Sequence, residues 1–218
     1  MARADAWSEH WGRLATPARE AVADATGIGP GVRLLDAGCG TGEFLALAIA
    51  RGANASGIDL SADMLAVARR LAPEADLREG DITKLPYADD AFDVVTAFNA
   101  VQFTADVPAT IAELARVAPK IAVCNWADGS ELLDLFAALR NDSAAPRRPL
   151  EEHVRAAGLT ITAAADVATP YESEEIVAAL RDGSGFEGDI ASAVEPYRDA
   201  GGVYRFENRF RYVLATRS

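Results

Sequence analysis

The segment Asp36-Ala37-Gly38-Cys39-Gly40-Thr41-Gly42 sets three glycines on alternate positions between two apolar runs. Glycine lacks a Cβ, so the backbone there can approach a ligand closely and turn free amides towards it. The run before it, Val32-Arg33-Leu34-Leu35-Asp36, follows the turn signal Gly27-Ile28-Gly29-Pro30-Gly31 and reads as a short buried strand. The run after it, Phe44 to Ala50, is rich in alanine and leucine and stops before Gly52, as a helix does. A strand that passes through glycine into a helix opens a parallel βαβ unit, which restricts the fold to a sheet covered by helices.

The alternation continues. Ala55 to Leu60 reads as a second strand, Ser61 as an N-cap with Asp63 in the first turn, and Met64 to Leu71 as a helix stopped by Pro73. Ala75 to Glu79 is a weak third strand and Phe92 to Phe98 a strong fourth; a helix over Val107 to Val117 leads into a fifth, Lys120 to Trp126. This order predicts a doubly wound α/β fold with helices on both faces of a parallel sheet. Upstream, Trp7, His10, Trp11 and Leu14 at helical offsets predict one or two short helices, with Pro17 in the first turn of the second. Downstream, Ser130 to Arg140 and Leu150 to Ala157 read as helices around a loop at 141–149, Leu159 to Val167 as a strand, and Asn208 to Thr216 as a terminal strand after a turn at Gly201-Gly202. We expect one domain over 1–218, with 1–29 as a helical lid, 30–126 as the ligand-binding core and 127–218 as a substrate-side segment with the last strands.

Charge decides what the glycine turn can hold. With 33 acidic and 21 basic residues the net charge is −12, which repels nucleic acid and anionic lipid. A dinucleotide fingerprint wants its third glycine where Glu43 stands, and a carboxylate there would face a pyrophosphate unfavourably. A cationic ligand without phosphate suits the turn better. Asp59 ends the second strand and can reach a ribose lying across the edge of the sheet. Cys39 and Cys124 lie in apolar surroundings with no partner at metal-ligand spacing, so neither a metal site nor a disulfide is expected. No apolar stretch reaches about 18 residues, and residues 1–14 hold acidic groups and no apolar core, so a cytoplasmic location without membrane contact is expected.

Three blocks carry a family likeness: Leu34 to Gly42; Gly57-Ile58-Asp59-Leu60-Ser61-Ala62-Asp63-Met64-Leu65; and Gly80-Asp81-Ile82 through Phe92-Asp93-Val94-Val95. Here the chain resembles the class I S-adenosylmethionine-dependent methyltransferases, in the small-molecule branch that includes the ubiquinone and menaquinone biosynthesis enzymes. The resemblance implies a Rossmann-like, mostly parallel seven-stranded sheet, with Arg209 to Ala215 similar to the family's antiparallel last strand. It further implies that S-adenosyl-L-methionine is the cofactor and S-adenosyl-L-homocysteine the product. Asp36, Gly38 and Gly40, with Cys39 between them, would line the methionine part. Asp59 would hold both ribose hydroxyls, and Leu60 and Met64 would pack on the adenine. Asp81 would accept from the adenine amino group, Ile82 would donate its amide to the ring, and Asn99 would lie beside the reactive methyl. Met64 on its apolar helix stripe also fits plain core, and Asp81 also fits a turn cap. Ala118-Pro119-Lys120 departs from the family's Pro-Gly-Gly turn, and Phe98-Asn99-Ala100-Val101 lacks the Asn/Asp-Pro-Pro-aromatic motif of methylases that act on base or glutamine amino groups.

Transfer from a sulfonium needs alignment of the nucleophile within about 3–3.5 Å and a base only where the acceptor loses a proton. His10, in the aromatic N-terminal segment, is the candidate base; His153 reads as peripheral. The expected partner is a small-molecule acceptor, methylated at oxygen or carbon. It would be held by the N-terminal helices, the segment after Asn99 and residues 127–149. Two rival readings remain: a nicotinamide-dependent oxidoreductase, and a methyltransferase fold repurposed to bind the cofactor without methyl transfer.

Overall fold

The computed structural model describes residues 2–140, 148–186 and 188–217. Seven strands form one sheet in the order β3-β2-β1-β4-β5-β9-β6. Its parallel part runs through β1 (Arg33–Ala37), β2 (Asn54–Asp59), β3 (Asp76–Glu79), β4 (Val94–Phe98) and β5 (Lys120–Trp126). The terminal β9 (Arg209–Thr216) is antiparallel to both β5 and β6 (Thr160–Ala168). The fold matches the expected seven-stranded architecture with its antiparallel last strand. Strand order reverses between β1 and β4, which places a crevice at their carboxyl ends, where open α/β sheets bind ligands.

Strand side chains alternate between two cores. Leu34, Val94, Ala122 and Cys124 face the layer of α2 (Thr16–Thr26) and α3 (Glu43–Ala50); Leu35, Val95, Ile121 and Val123 face α5 (Val107–Val117) and α7 (Leu150–Ala156). Ile111, Leu114, Ala115 and Val117 form the buried stripe of α5, and the Asp106 carboxylate caps its first turn by accepting from the Ala109 N–H at 3.0 Å. Ser61 does the same for α4 (Ala62–Leu71), accepting from the Met64 N–H at 3.3 Å. The fourth strand starts at Val94 rather than Phe92, because the Asp93 carboxylate turns out to bind the guanidinium and N–H of Arg33.

Residues 169–207 are the part that sequence periodicity leaves blank. There β7 (Tyr171–Ser173) pairs with β8 (Tyr204–Phe206) as a small antiparallel ribbon. Between them lie α8 (Ile176–Ala178), a π turn, α9 (Ile190–Val194) and a 3-10 turn. Ile176, Leu180, Phe186 and Phe206 join the α2-side core. The helix after β5, α6 (Glu131–Leu139), brings Phe136 into edge contact with Trp11 of α1 (Ala2–Trp11), and Trp11 lies on Tyr171 at 5.4 Å. N-terminal, post-β5 and inserted segments thus share one aromatic cluster.

Leu114 is fully buried between α5 and the sheet. Leu114→Ala should lower unfolding free energy by about 2–5 kcal/mol, read by urea denaturation, from lost transfer energy plus a cavity; a loss below about 1 kcal/mol would show that this interface collapses around the gap.

Candidate functional site

Every group that the family likeness singles out lies at, or close behind, the carboxyl edge of β1, β2, β3 and β4. The Asp59 carboxylate ends β2 and closes a clasp: one oxygen accepts from the Gly40 N–H at 2.9 Å, the other from the Ser61 N–H at 2.9 Å. The glycine turn and the start of α4 are therefore tied to one side chain. A carboxylate offers roughly four lone-pair directions, so two remain for a ligand. Sequence reasoning missed these amide partners.

Gly38 and Gly40 are required for different reasons. Gly38 has φ 74°, and a Cβ there would lie 2.4 Å from the Ala100 Cβ, so the turn packs against the residue just past β4. Gly40 has φ 53° and open space where a side chain would stand, which leaves its backbone free to meet a ligand. Between them, Cys39 is buried with Sγ against Gly57, so only its backbone faces the turn; burial pushes its thiol pKa up.

Asp36 is 2% exposed and its Oδ1 accepts from the Thr96 hydroxyl at 2.8 Å across the β1–β4 pair. Burial pushes its carboxyl pKa up to about 7, against the Thr96 hydrogen bond and the Arg19 charge. Glu43 does not face the crevice as the sequence argument supposes. Its carboxylate accepts from the hydroxyls of Thr41 at 2.6 Å and Ser8 at 3.0 Å, and lies 4.0 Å from the Arg19 guanidinium. That charge anchors α1 and α2 to the glycine turn.

At the far end, Leu60 directly follows Asp59 and is 69% exposed, an apolar surface beside the clasp. Met64 is half-buried and Ile82 buried in the α5-side core. Asp81 is exposed, and its Oδ1 accepts from the Thr83 N–H at 2.8 Å, the turn-cap geometry, which holds its carboxyl below the usual range. Asn99 adopts φ 48°, donates its N–H to the Cys124 carbonyl, and accepts from the Trp126 N–H through Oδ1 at 3.2 Å. A left-handed non-glycine residue stores strain of the kind found at functional sites.

The histidines fall differently from expectation. His10 is half-buried on α1, and its carbonyl accepts from the Tyr171 hydroxyl. His153 is not peripheral: it lines a cavity of about 650 Å³ beyond Asn99, together with Arg148. Neither the first signal, a polar helix, nor any spacing pointed there. Arg147 and most of the loop at 141–149 lie outside the described residues.

Since the folded carboxyl of Asp36 binds its proton more tightly than the unfolded one, its contribution to stability falls as pH rises from about 4 to 7. Asp36→Asn removes that slope. The variant should match the parent near pH 4 and exceed it at pH 8 by on the order of 2–4 kcal/mol in chemical denaturation; a pH-independent difference would contradict the assignment.

Residues 35–120 match the family described as methyltransferase domain. A malonyl-[acyl-carrier protein] O-methyltransferase of Pectobacterium atrosepticum is 42% identical over 103 residues, 46% of this chain and 41% of the relative. A demethylmenaquinone methyltransferase of Mycolicibacterium paratuberculosis is 38% identical over 120 residues, 53% of this chain and 50% of the relative. This chain therefore spans half or less of the length of these curated relatives. Among solved structures, the [4+2]-cyclase SpnF superposes with a TM-score of 0.65 at 25% identity, covering 95% of this chain and 83% of that one. The glycine turn and the Asp59 clasp lie within this matched segment, so over residues 35–120 the chain is similar to methyltransferase domains.

Proposed function

We propose that the crevice binds S-adenosyl-L-methionine and that the chain transfers the methyl group to a small-molecule acceptor, at oxygen or carbon. The observation that carries this is the Asp59 clasp, with open space at Gly40 on one side and exposed Leu60 on the other. A diol fits the remaining lone pairs of Asp59, a flat apolar ring fits Leu60 and Met64, and a cationic amino-acid tail fits the backbone of Gly38, Cys39 and Gly40 above the Asp36 carboxyl. In the same reading, the free oxygen of Asp81 and the amide of Ile82 face the base, and Asn99 flanks the reacting end. When bound, S-adenosylmethionine supplies a methyl already activated on sulfur, which passes to the acceptor's electron pair as the carbon–sulfur pair stays on sulfur to give S-adenosylhomocysteine.

The protein's part is alignment and exclusion of water. Residues 30–126 hold the cofactor, while α1 and α2 within 1–29 act as the lid, moored through Ser8 and Arg19 to Glu43. Where the acceptor must lose a proton, His10 on that lid is the proposed base, with His153 in the cavity wall as the alternative. Among the described residues no helix is long and apolar enough to cross a membrane. A cytoplasmic location, and partners confined to small molecules rather than nucleic acid or membrane, complete the proposal.

The likeness to a cyclase supports a second reading, in which the fold keeps the cofactor and performs no methyl transfer. Incubation with labelled cofactor and a metabolite extract distinguishes them: a labelled methylated product is expected, and its absence across a broad extract favours the second reading. In equilibrium dialysis the chain should bind S-adenosylmethionine in preference to NADH; the reverse preference would end the proposal. Asp59→Ala should weaken cofactor binding by about 1.5–3 kcal/mol, and unchanged affinity in the folded variant would place the ribose elsewhere. Against a hydroxyl acceptor, His10→Ala should lower kcat by about 10²–10⁴-fold; an unchanged kcat there, with a fall in His153→Ala, moves the base to the cavity wall.

A further inference from the structure

The two outer edges of the sheet are built differently. At one end β3 is four residues long, and Asp76, Arg78 and Glu79 charge it, a common guard against unwanted strand pairing. At the other end β6 runs for nine residues, Thr160 to Ala168, a span of about 30 Å. It holds no proline, lysine or arginine, and Ala163, Ala164, Ala165 and Ala168 keep its side chains small on both faces. Its one charged residue, Asp166, is turned back over the sheet, where Arg211 of β9 holds it at 2.9 Å.

Backbone direction determines which groups this edge leaves open. The Thr169 N–H donates to the Asn208 carbonyl at 2.8 Å, while the Arg209 carbonyl turns the other way, accepting from the Ala127 N–H at 2.9 Å. Along an antiparallel strand the backbone groups of successive residues point to opposite sides. In the register Val167↔Phe210, Ala165↔Tyr212 and Ala163↔Leu214, residues 163, 165 and 167 therefore bond β9, and Ala164, Asp166 and Ala168 direct their N–H and C=O away from the sheet. All three are exposed. Helices α2 and α7 lie against β6, yet among the described residues no backbone hydrogen bond from another element reaches these outward groups. The register shift between Ile161 and Ala163 bends the strand ahead of them and leaves 163–168 regular.

A row of unpaired backbone donors and acceptors is matched by another extended strand. A second copy of this chain brings one, because antiparallel pairing about a twofold axis is self-complementary. Centred on Ala165, such a ladder sets Ala164 opposite Asp166 of the second copy; centred on Asp166 it would oppose two carboxylates. Charge permits the approach. The chain carries a net −12, but the charged side chains of β6, β9 and α7 near this edge balance, with Arg155, Arg209 and Arg211 against Glu151, Glu152 and Asp166. We propose that β6 pairs antiparallel with β6 of a second copy, joining two seven-stranded sheets into one continuous sheet. Neither cofactor nor acceptor enters this pairing, so it stands apart from the function proposed above.

Sedimentation velocity of the full chain over a concentration series, with amide hydrogen exchange followed by NMR, tests the pairing. A monomer–dimer equilibrium with Kd in the micromolar range is expected. The amides of Ala164, Asp166 and Ala168 should exchange at least tenfold more slowly where the dimer predominates than in dilute monomer. Ala164→Pro removes one outward N–H without touching the ladder to β9, and Ala164→Lys sets a cation on the edge. Each should weaken dimerisation at least tenfold. Ala164→Lys, at an exposed position, should keep the parent's far-UV circular dichroism, which separates lost pairing from lost fold. Monomer alone up to about 0.5 mM, even one whose edge takes up an added extended peptide, would overturn the proposal. So would a dimer indifferent to both substitutions, or exchange at 164, 166 and 168 that does not change with concentration.

Discussion

One carboxylate organises this molecule's working edge. Asp59 must accept two backbone amides, from Gly40 and Ser61, for the glycine turn and α4 to take their positions at the end of β2. Charge-assisted hydrogen bonds of this kind are stronger than neutral ones, and they fix a turn whose glycines would otherwise be free to wander. The turn's shape then determines that Gly40 faces open space, that Gly38 lies on Ala100, and that α3 begins with no side chain over its first amides.

A second set of charges works from behind the turn. Glu43 gathers Thr41, Ser8 and Arg19, and the buried Asp36 feels the same Arg19. The N-terminal helices, the turn and the buried carboxyl are thus electrostatically joined. Displacing α1 costs the Ser8 hydrogen bond and exposes the aromatic contacts of Trp11 with Phe136 and Tyr171. Because a buried acid near neutrality is finely balanced, a cation arriving at the turn can draw the proton off Asp36.

The parallel core was legible because its signals are local and repeated: an apolar run, a glycine or capped turn, an alanine-rich helix. The α5 and β5 boundaries agree to the residue, and Ser61 caps α4 as its position predicts. What escaped is built from non-local contact. β7 and β8 are three residues each, too short for a period to show, and they pair across the 30 residues, 174–203, that separate them. His153 looked peripheral on its helix because only the packing of α7 on α5, β6 and β9 brings it to the cavity. The direction of Glu43 depended on Ser8 and Arg19, distant in sequence and unremarkable by type.

The central claim is that a nucleoside with a cationic sulfur lodges at the carboxyl ends of β1 and β2. A crystal structure of the chain grown with S-adenosylhomocysteine tests it most directly. The account predicts ribose hydroxyls on the Asp59 carboxylate, the base against Leu60, and the amino-acid tail along Gly38 to Gly40. Density for the ligand elsewhere, or a protein side chain filling that crevice at saturating ligand, would contradict it.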